Sequence, residues 1–356
     1  MSFYNKYRPK QFSDFSGDFT VEVLKSQIIK NQVQHAYLFS GPPGTGKTTL
    51  ARLMSMALLC ENREDGIAEP DINSNSSKMI INDKHRDLIE VNCAVNNGVD
   101  NVRENIAEKI RLMPAYGKYR IFILDECHML TPQAQNSLLK IVEEPPSHVI
   151  FFFCTTDPNK VLPAIKTRCQ HFQLKRVSDS NCKQILKNIV KEEVIDSESN
   201  ALDLIVQESK GSVRTALSLL EQVSTLGVSE ENVREILGRS PRHLSIDLIN
   251  SIYEVNRGKS YRLLEAAHLE GRDLSALLEE MARALMDSIS YKLLKTPESQ
   301  RSSDIEFLRT LKPTIILETV DQLLQIISKI RQNVSEDLVV QTGILRIIDW
   351  FSNQKD

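Results

Sequence analysis

The sequence predicts an α/β domain with a parallel sheet and a phosphate-binding loop, followed by all-α segments, and three observations predict it. GPPGTGKT, Gly41 to Thr48, sits between an apolar run and a helical pattern. Short apolar runs alternate with helical segments as far as about residue 175, and strands separated by helices imply parallel pairing. Beyond that point the period-two signal vanishes and only helical spacing remains.

The strands are read at Ala36 to Phe39, Asp87 to Val91, Tyr119 to Leu124 and Val149 to Cys154. Between the last two, Thr131 as N-cap and Pro132 at the first helical position start a helix that must end before Pro145 and Pro146. SDSNCKQILKNIVKEE then reads as a helix with Ile185, Leu186 and Ile189 on one face, and ALDLIVQESK as a second. Gly211 closes that segment and Ser212 caps the next, SVRTALSLLEQV. Farther on, Asp273 caps a helix with Leu274, Leu277, Leu278, Met281 and Leu285 in register, and Ile316, Val320, Leu323, Ile327 and Ile330 form another stripe. These patterns divide the chain into 1–175, α/β; 176–235, a small helical domain; and 236–356, a C-terminal helical domain. GIAEPDINSNSSK, Gly66 to Lys78, is the one low-complexity stretch and reads as a surface loop.

A chain of 356 residues is too long for one compact core. Its 41% apolar and 26% charged residues are those of a globular protein. A net charge of −3 exerts no overall pull on nucleic acid, so contact with DNA must rest on local basic residues within an assembly. The start, MSFYNKYRPKQF, lacks the apolar run of a signal peptide, and no stretch of 18 apolar residues occurs, so a cytoplasmic protein with no membrane partner is expected. Cys60, Cys93, Cys127, Cys154, Cys169 and Cys182 are scattered, with no CxxC pair to bind zinc, and are expected to be buried thiols.

GPPGTGKT fits the phosphate-loop pattern at every fixed position. Its glycines let backbone N–H groups turn onto phosphates, and the helix N-terminus behind them adds partial positive charge. Lys47 is expected to reach the β- and γ-phosphates of a nucleotide and Thr48 to ligate Mg²⁺. IFILDE ends a strand in two carboxylates. Asp125 is placed for Mg²⁺ and Glu126 for polarising an attacking water. Thr155 and Thr156 follow the next strand at what should be the same sheet edge, where a hydroxyl can orient water or simply cap the strand. Arg214 lies in the first turn of its helix, where the dipole mildly opposes a cation; an anionic ligand and a plain surface charge are both open readings. Arg168, in KTRCQHF, has no evident partner by spacing alone, and a solvated surface charge and a functional cation are both open readings.

Together these residues resemble the AAA+ ATPases, and more narrowly the DNA polymerase III clamp-loader family of gamma and tau subunits. YRPKQFSDFSG resembles the family's adenine-pocket segment, and LDECHML, EEPPSHVIFFFCTTDPNKVLPAIKTRC and GSVRTALSLLEQ are close to its other motifs. The resemblance is dense from residue 3 to about 225 and looser beyond, where the helices resemble the family's oligomerising collar. It implies ATP as the nucleotide, held by Gly41, Pro42, Pro43, Gly44, Thr45, Gly46, Lys47, Thr48 and Thr49, with Tyr7, Arg8, Pro9 and the segment around Phe15 to Gly17 forming the adenine pocket. It also implies Thr156 as sensor 1, with a shift to Thr155 possible, Arg214 as sensor 2, and Arg168 as an arginine finger donated to a neighbouring subunit.

The implied partners are further copies of the chain, delta-like and delta-prime-like subunits, a sliding clamp and primed template DNA. Lys140 and Arg103 are the candidate DNA contacts, each with a solvated helix charge as the alternative. Two departures matter. The family usually carries a four-cysteine zinc module, but no cysteine lies between Cys60 and Cys93, so no zinc is expected. The sequence also stops at Asp356, short of the tau tail, as in the gamma form, a phage or reduced version, or a truncated form. Two rival functions remain: a non-hydrolysing scaffold of the same assembly, which the intact loop opposes, and a ring motor acting on branched DNA, in which the helical collar is not expected.

Overall fold

The computed structural model describes residues 2–15, 19–61, 66–237, 242–294, 312–330 and 335–353. They fall into two compact units, Met1–Thr225 and Leu226–Asp356.

The first unit is built on five parallel strands: β1 Ala36–Ser40, β2 Leu88–Asn92, β3 Arg120–Asp125, β4 Val149–Thr155 and β5 Gln170–Gln173. Their order is β2-β3-β4-β1-β5, with Phe39 opposite Cys154 and Asn92 opposite Asp125. β1 and β4 are buried along their whole length because both faces are covered. On one face Tyr37, Phe39 and Phe152 pack against Leu50, Leu53 and Met54 of the helix Lys47–Leu59. On the other, Leu38, Phe151 and Phe153 pack with Ala134 and Leu138 of the helix Pro132–Glu143. That helix begins as its sequence requires, with Thr131 Oγ1 accepting from Ala134 N–H at 3.2 Å. A one-residue alternation along each strand thus feeds two separate cores.

Two segments differ from the sequence reading. The four expected strands form within a residue or two of their expected bounds, but β5 was not anticipated. It is a short strand of mixed exposure that pairs with β1 alone, so its sequence, QHFQ, carries no apolar run. Gly66 to Lys78 is also more than a surface loop. Ser74 caps a helix, Asn75–Ile81, by accepting from Ser77 N–H at 3.1 Å, and Ala68, Ser74, Ser76 and Ser77 are buried. Ser76 Oγ donates to Glu61 at 2.7 Å and lies 3.1 Å from His85 Nε2, so Ser76, Glu61 and His85 satisfy one another, whereas the buried Ser77 hydroxyl has no hydrogen-bond partner among the described residues.

The helices Asp179–Glu192, Ser199–Ser209 and Val213–Ser224 complete the first unit. Ser178 and Ser212 cap the first and third of them through their hydroxyls.

In the second unit, Leu274, Leu277, Leu278, Met281 and Leu285 are all buried on the helix Leu274–Leu294, as are Ile316, Val320, Leu323 and Ile327 on the helix Pro313–Ile330. Arg234, on the helix Glu230–Ile236, pairs with Glu280 at 2.9 Å. That contact places residues 226–236 with this unit, whereas the sequence had grouped residues up to 235 with the preceding helices. Among the described residues no helix is long and apolar enough to cross a membrane.

Candidate nucleotide-binding site

The phosphate loop joins β1 to the helix Lys47–Leu59 at the C-terminal edge of the sheet, where open α/β sheets bind ligands. Its tight path depends on glycine. Gly44 has φ +73°, and a Cβ there would meet Ser212 Oγ at 2.0 Å; Gly46 has φ +91°, and its Cβ would meet the Phe15 ring at 2.7 Å. Those two approaches also show what closes over the loop: the capped end of the helix Val213–Ser224 on one side and the Phe15 ring on the other.

Lys47 is only 5% exposed, and its ammonium donates to Gly41 O at 2.9 Å and to Pro42 O at 3.0 Å. Burial lowers its pKa, while the negative charges of Glu126 and Asp125 oppose that shift. The loop is braced further by Thr45 Oγ1, which donates to Pro42 O at 2.9 Å.

The carboxylates come from the end of β3. Asp125 accepts from Glu126 N–H at 3.1 Å. Glu126 then adopts left-handed backbone, φ 50°, a conformation that costs a non-glycine residue about 1–3 kcal/mol and that ends the strand by turning the chain. Its Oε2 accepts from Thr156 N–H at 3.3 Å and from Thr156 Oγ1 at 3.0 Å, with His128 Nδ1 at 3.3 Å. Thr155 takes a different part: it is buried, its hydroxyl lies 3.1 Å from His128 Nδ1, and it accepts from Asp157 N–H at 3.1 Å. Of the two threonines, Thr156 is the one that touches Glu126.

Lys47, Asp125 and Glu126 line a cavity of about 270 Å³, just below the usual range for ligand pockets, whereas Thr156 is not in its wall and meets it only through Glu126. Tyr7, Arg8, Pro9 and Phe15 line it from the N-terminal segment, Pro43 to Thr49 from the loop, Asp125 and Glu126 from the sheet, and Ser212 to Thr215, including Arg214, from the helical part. Gly41 and Pro42 stand behind it as the acceptors of Lys47. The Thr48 hydroxyl and Asp125 carboxylate share this cavity and offer only oxygen donors, the set that Mg²⁺ takes beside phosphate oxygens and water. A larger cavity, about 410 Å³ between Leu58–Glu61 and Tyr116–Tyr119, has no phosphate loop in its wall, so size does not choose the site. Among the described residues no group of three or more His, Cys, Asp or Glu side chains could hold a metal ion.

Arg168 is not in the wall of this cavity. It is partly exposed on the sheet's β5 side, donating to Ala164 O at 2.8 Å and pairing with Glu143 at 2.6 Å. Lys140 is exposed on the helix Pro132–Glu143. The side chain of Arg103, and Ser16 and Gly17 of the expected adenine segment, lie outside the described residues.

Three contributors escaped the sequence reading. Tyr4 lines the cavity. Glu193 accepts from Tyr7 Oη and Lys6 Nζ, both at 2.7 Å. Glu143 pairs with Arg168 and so joins two motifs, EEPP and TRC, that sequence could only set side by side. No local pattern marks any of them, because each partner is distant in the chain.

A glycine loop on a helix N-terminus, strand-end carboxylates and an arginine from a helical lid define the class: a P-loop nucleotide-binding protein of the AAA+ fold. Comparison with known proteins narrows it. Residues 17–178 match the family described as DNA polymerase III, delta subunit; residues 181–228 match the DNA polymerase III clamp loader subunit, ATPase lid domain; and residues 228–344 match DNA polymerase III subunits gamma and tau domain III. The chain is 34% identical to DNA polymerase III subunit gamma of Buchnera aphidicola over 285 residues, covering 79% of this chain and 78% of that one. It is 32% identical to subunit tau of Bacillus subtilis over 92% of its own length and 34% identical to that of Escherichia coli over 87%. It spans 59% and 49% of those two proteins respectively. The chain belongs to the DNA polymerase III gamma/tau family.

Proposed function

We propose that the chain is an ATPase subunit of a DNA replication clamp loader, using ATP to open a sliding clamp and place it on primed template DNA in the cytoplasm. The observation that carries this reading is the convergence of Lys47, Thr48, Asp125, Glu126 and Arg214 on one cavity. Lys47 would neutralise the β- and γ-phosphates, and Arg214 would meet the γ-phosphate from the lid. Thr48 and Asp125 would hold Mg²⁺, which supplies charge to the phosphate oxygens in the transition state. Glu126 would accept the proton of the attacking water, aimed by Thr156 through their 3.0 Å hydrogen bond. Tyr7, Arg8 and Pro9 would enclose the base.

Arg168 would act on the nucleotide of a neighbouring subunit. Its exposure and its place outside its own cavity support that assignment. The assembly would contain further copies of this chain with delta-like and delta-prime-like subunits, and Lys140 would face the phosphates of the DNA. The test is ATP hydrolysis by the assembly, with its partner subunits, in the presence of sliding clamp and primed DNA. Stimulation by clamp and primed DNA together is expected. Stimulation by branched DNA alone, with no response to the clamp, would overturn the reading.

A further inference from the structure

The N-terminal helix Phe3–Lys6 places one aromatic ring beside two cations of the cavity. The Arg214 guanidinium carbon lies 4.7 Å from the Tyr4 ring centroid and that of Arg8 lies 5.9 Å from it. Tyr4, Arg8 and Arg214 all line the same cavity. The segment that carries the ring is anchored on either side of Tyr4: Phe3 N–H donates to Glu221 at 3.0 Å, and Lys6 and Tyr7 both donate to Glu193 at 2.7 Å. Glu221 lies on the same helix as Arg214, Val213–Ser224, and Glu193 caps the helix Asp179–Glu192. The N-terminal segment therefore clips onto the helical part from both sides of the ring.

Arg214 needs such a partner. It sits in the first turn of its helix, where unpaired N–H groups repel a cation, and a second guanidinium, Arg8, shares its neighbourhood. The negative face of an aromatic ring attracts both, and a fixed ring also restricts the rotamers of a long, flexible side chain.

We propose that Tyr4 is a positioning residue that holds Arg214, and secondarily Arg8, aimed into the cavity, and thereby sets the preference of the site for ATP over ADP. The inference rests on the reading of the cavity as an ATP site. A group that reaches the γ-phosphate contributes to ATP and not to ADP, so misplacing Arg214 selectively weakens ATP.

The test is calorimetric titration of the whole chain with ATP and with ADP, for the wild type, Tyr4→Phe, Tyr4→Leu, Arg214→Ala and the Tyr4→Leu/Arg214→Ala double variant. Tyr4→Leu is expected to weaken ATP by about fivefold relative to ADP, the effect of losing one cation–π contact of about 1 kcal/mol. Tyr4→Phe keeps the ring and should keep the wild-type ratio. In the Arg214→Ala background Tyr4→Leu should leave the ATP-to-ADP ratio unchanged. Equal loss of ATP and ADP in Tyr4→Leu would make the residue merely structural and overturn the inference, as would a Tyr4→Phe variant as impaired as Tyr4→Leu. A wild type that binds neither nucleotide would overturn the nucleotide reading itself and the inference with it, whereas an intact ATP preference in Tyr4→Leu would overturn the inference alone.

Discussion

Lys47 and Arg168 are the two cations proposed to meet phosphate, yet the chain holds them in opposite ways. Lys47 is 5% exposed, held by two carbonyls of its own loop and balanced by carboxylates across the cavity. Arg168 is 37% exposed at its side chain and tied by an ion pair to Glu143, itself 42% exposed. A surface ion pair of that kind contributes about 0–1 kcal/mol, so Arg168 can leave Glu143 for a phosphate at little cost. Lys47 cannot leave. One cation is enclosed within its own loop; the other sits half-exposed in an ion pair, as the proposed role in a neighbouring subunit requires.

The largest expected effect breaks the comparison at Arg168. Arg168→Ala should reduce hydrolysis in the assembly by about 10³- to 10⁵-fold, as for an arginine supplied in trans, while ATP binding to the isolated chain, read by titration, stays within about twofold of the wild type. Equal loss of binding would mean that Arg168 acts within its own chain.

Next comes Lys47→Ala. Removing a buried charge proposed to meet phosphate should weaken ATP binding to the isolated chain by about 10²- to 10³-fold. Unchanged affinity would place the phosphates elsewhere.

Glu143→Gln sharpens the contrast. Releasing Arg168 from its ion pair should raise hydrolysis in the assembly by up to about fivefold. That gain should vanish in the Arg168→Ala background, where no arginine is left to release.

The smallest effect lies far from the site. His85 is buried, accepts from Asp87 N–H at 3.1 Å on Nδ1, and has a pKa below the ordinary 6.5 because burial disfavours its charged form. The unfolded chain therefore takes up this proton first as pH falls below about 6.5. Stability is lost from there toward the lower folded pKa. His85→Gln should flatten that acid-side loss in thermal melts between about pH 7 and 5, and an unchanged slope would show that His85 does not titrate within it.

Much of the sheet and of the nucleotide loop was legible because their signals are local. An apolar strand, a glycine turn and a helix cap each occupy a few adjacent residues, so Gly41 to Thr48, Asp125 and Thr131 could be read without neighbours. What stayed hidden depends on contacts between distant parts of the chain. β5 lacks an apolar run because it pairs on one side only. Ser76 looks like a loop residue until the Glu61–Ser76–His85 network buries it. Tyr4 gains its meaning from Arg214, and Arg168 from Glu143. Local chemistry fixed the glycine loop, and tertiary packing assembled the rest of the cavity wall.

The central claim, that a site completed by one chain serves a nucleotide held by another, is tested most directly by mixing two inactive variants. On this account, assemblies reconstituted with partner subunits and only Lys47→Ala chains would hold ATP poorly, and those with only Arg168→Ala chains would lack the donated arginine. In an equal mixture, a Lys47→Ala chain can supply Arg168 to the ATP held by an Arg168→Ala neighbour. The account predicts clamp-stimulated hydrolysis in the mixture well above that of either variant alone; a mixture as inactive as both would contradict it.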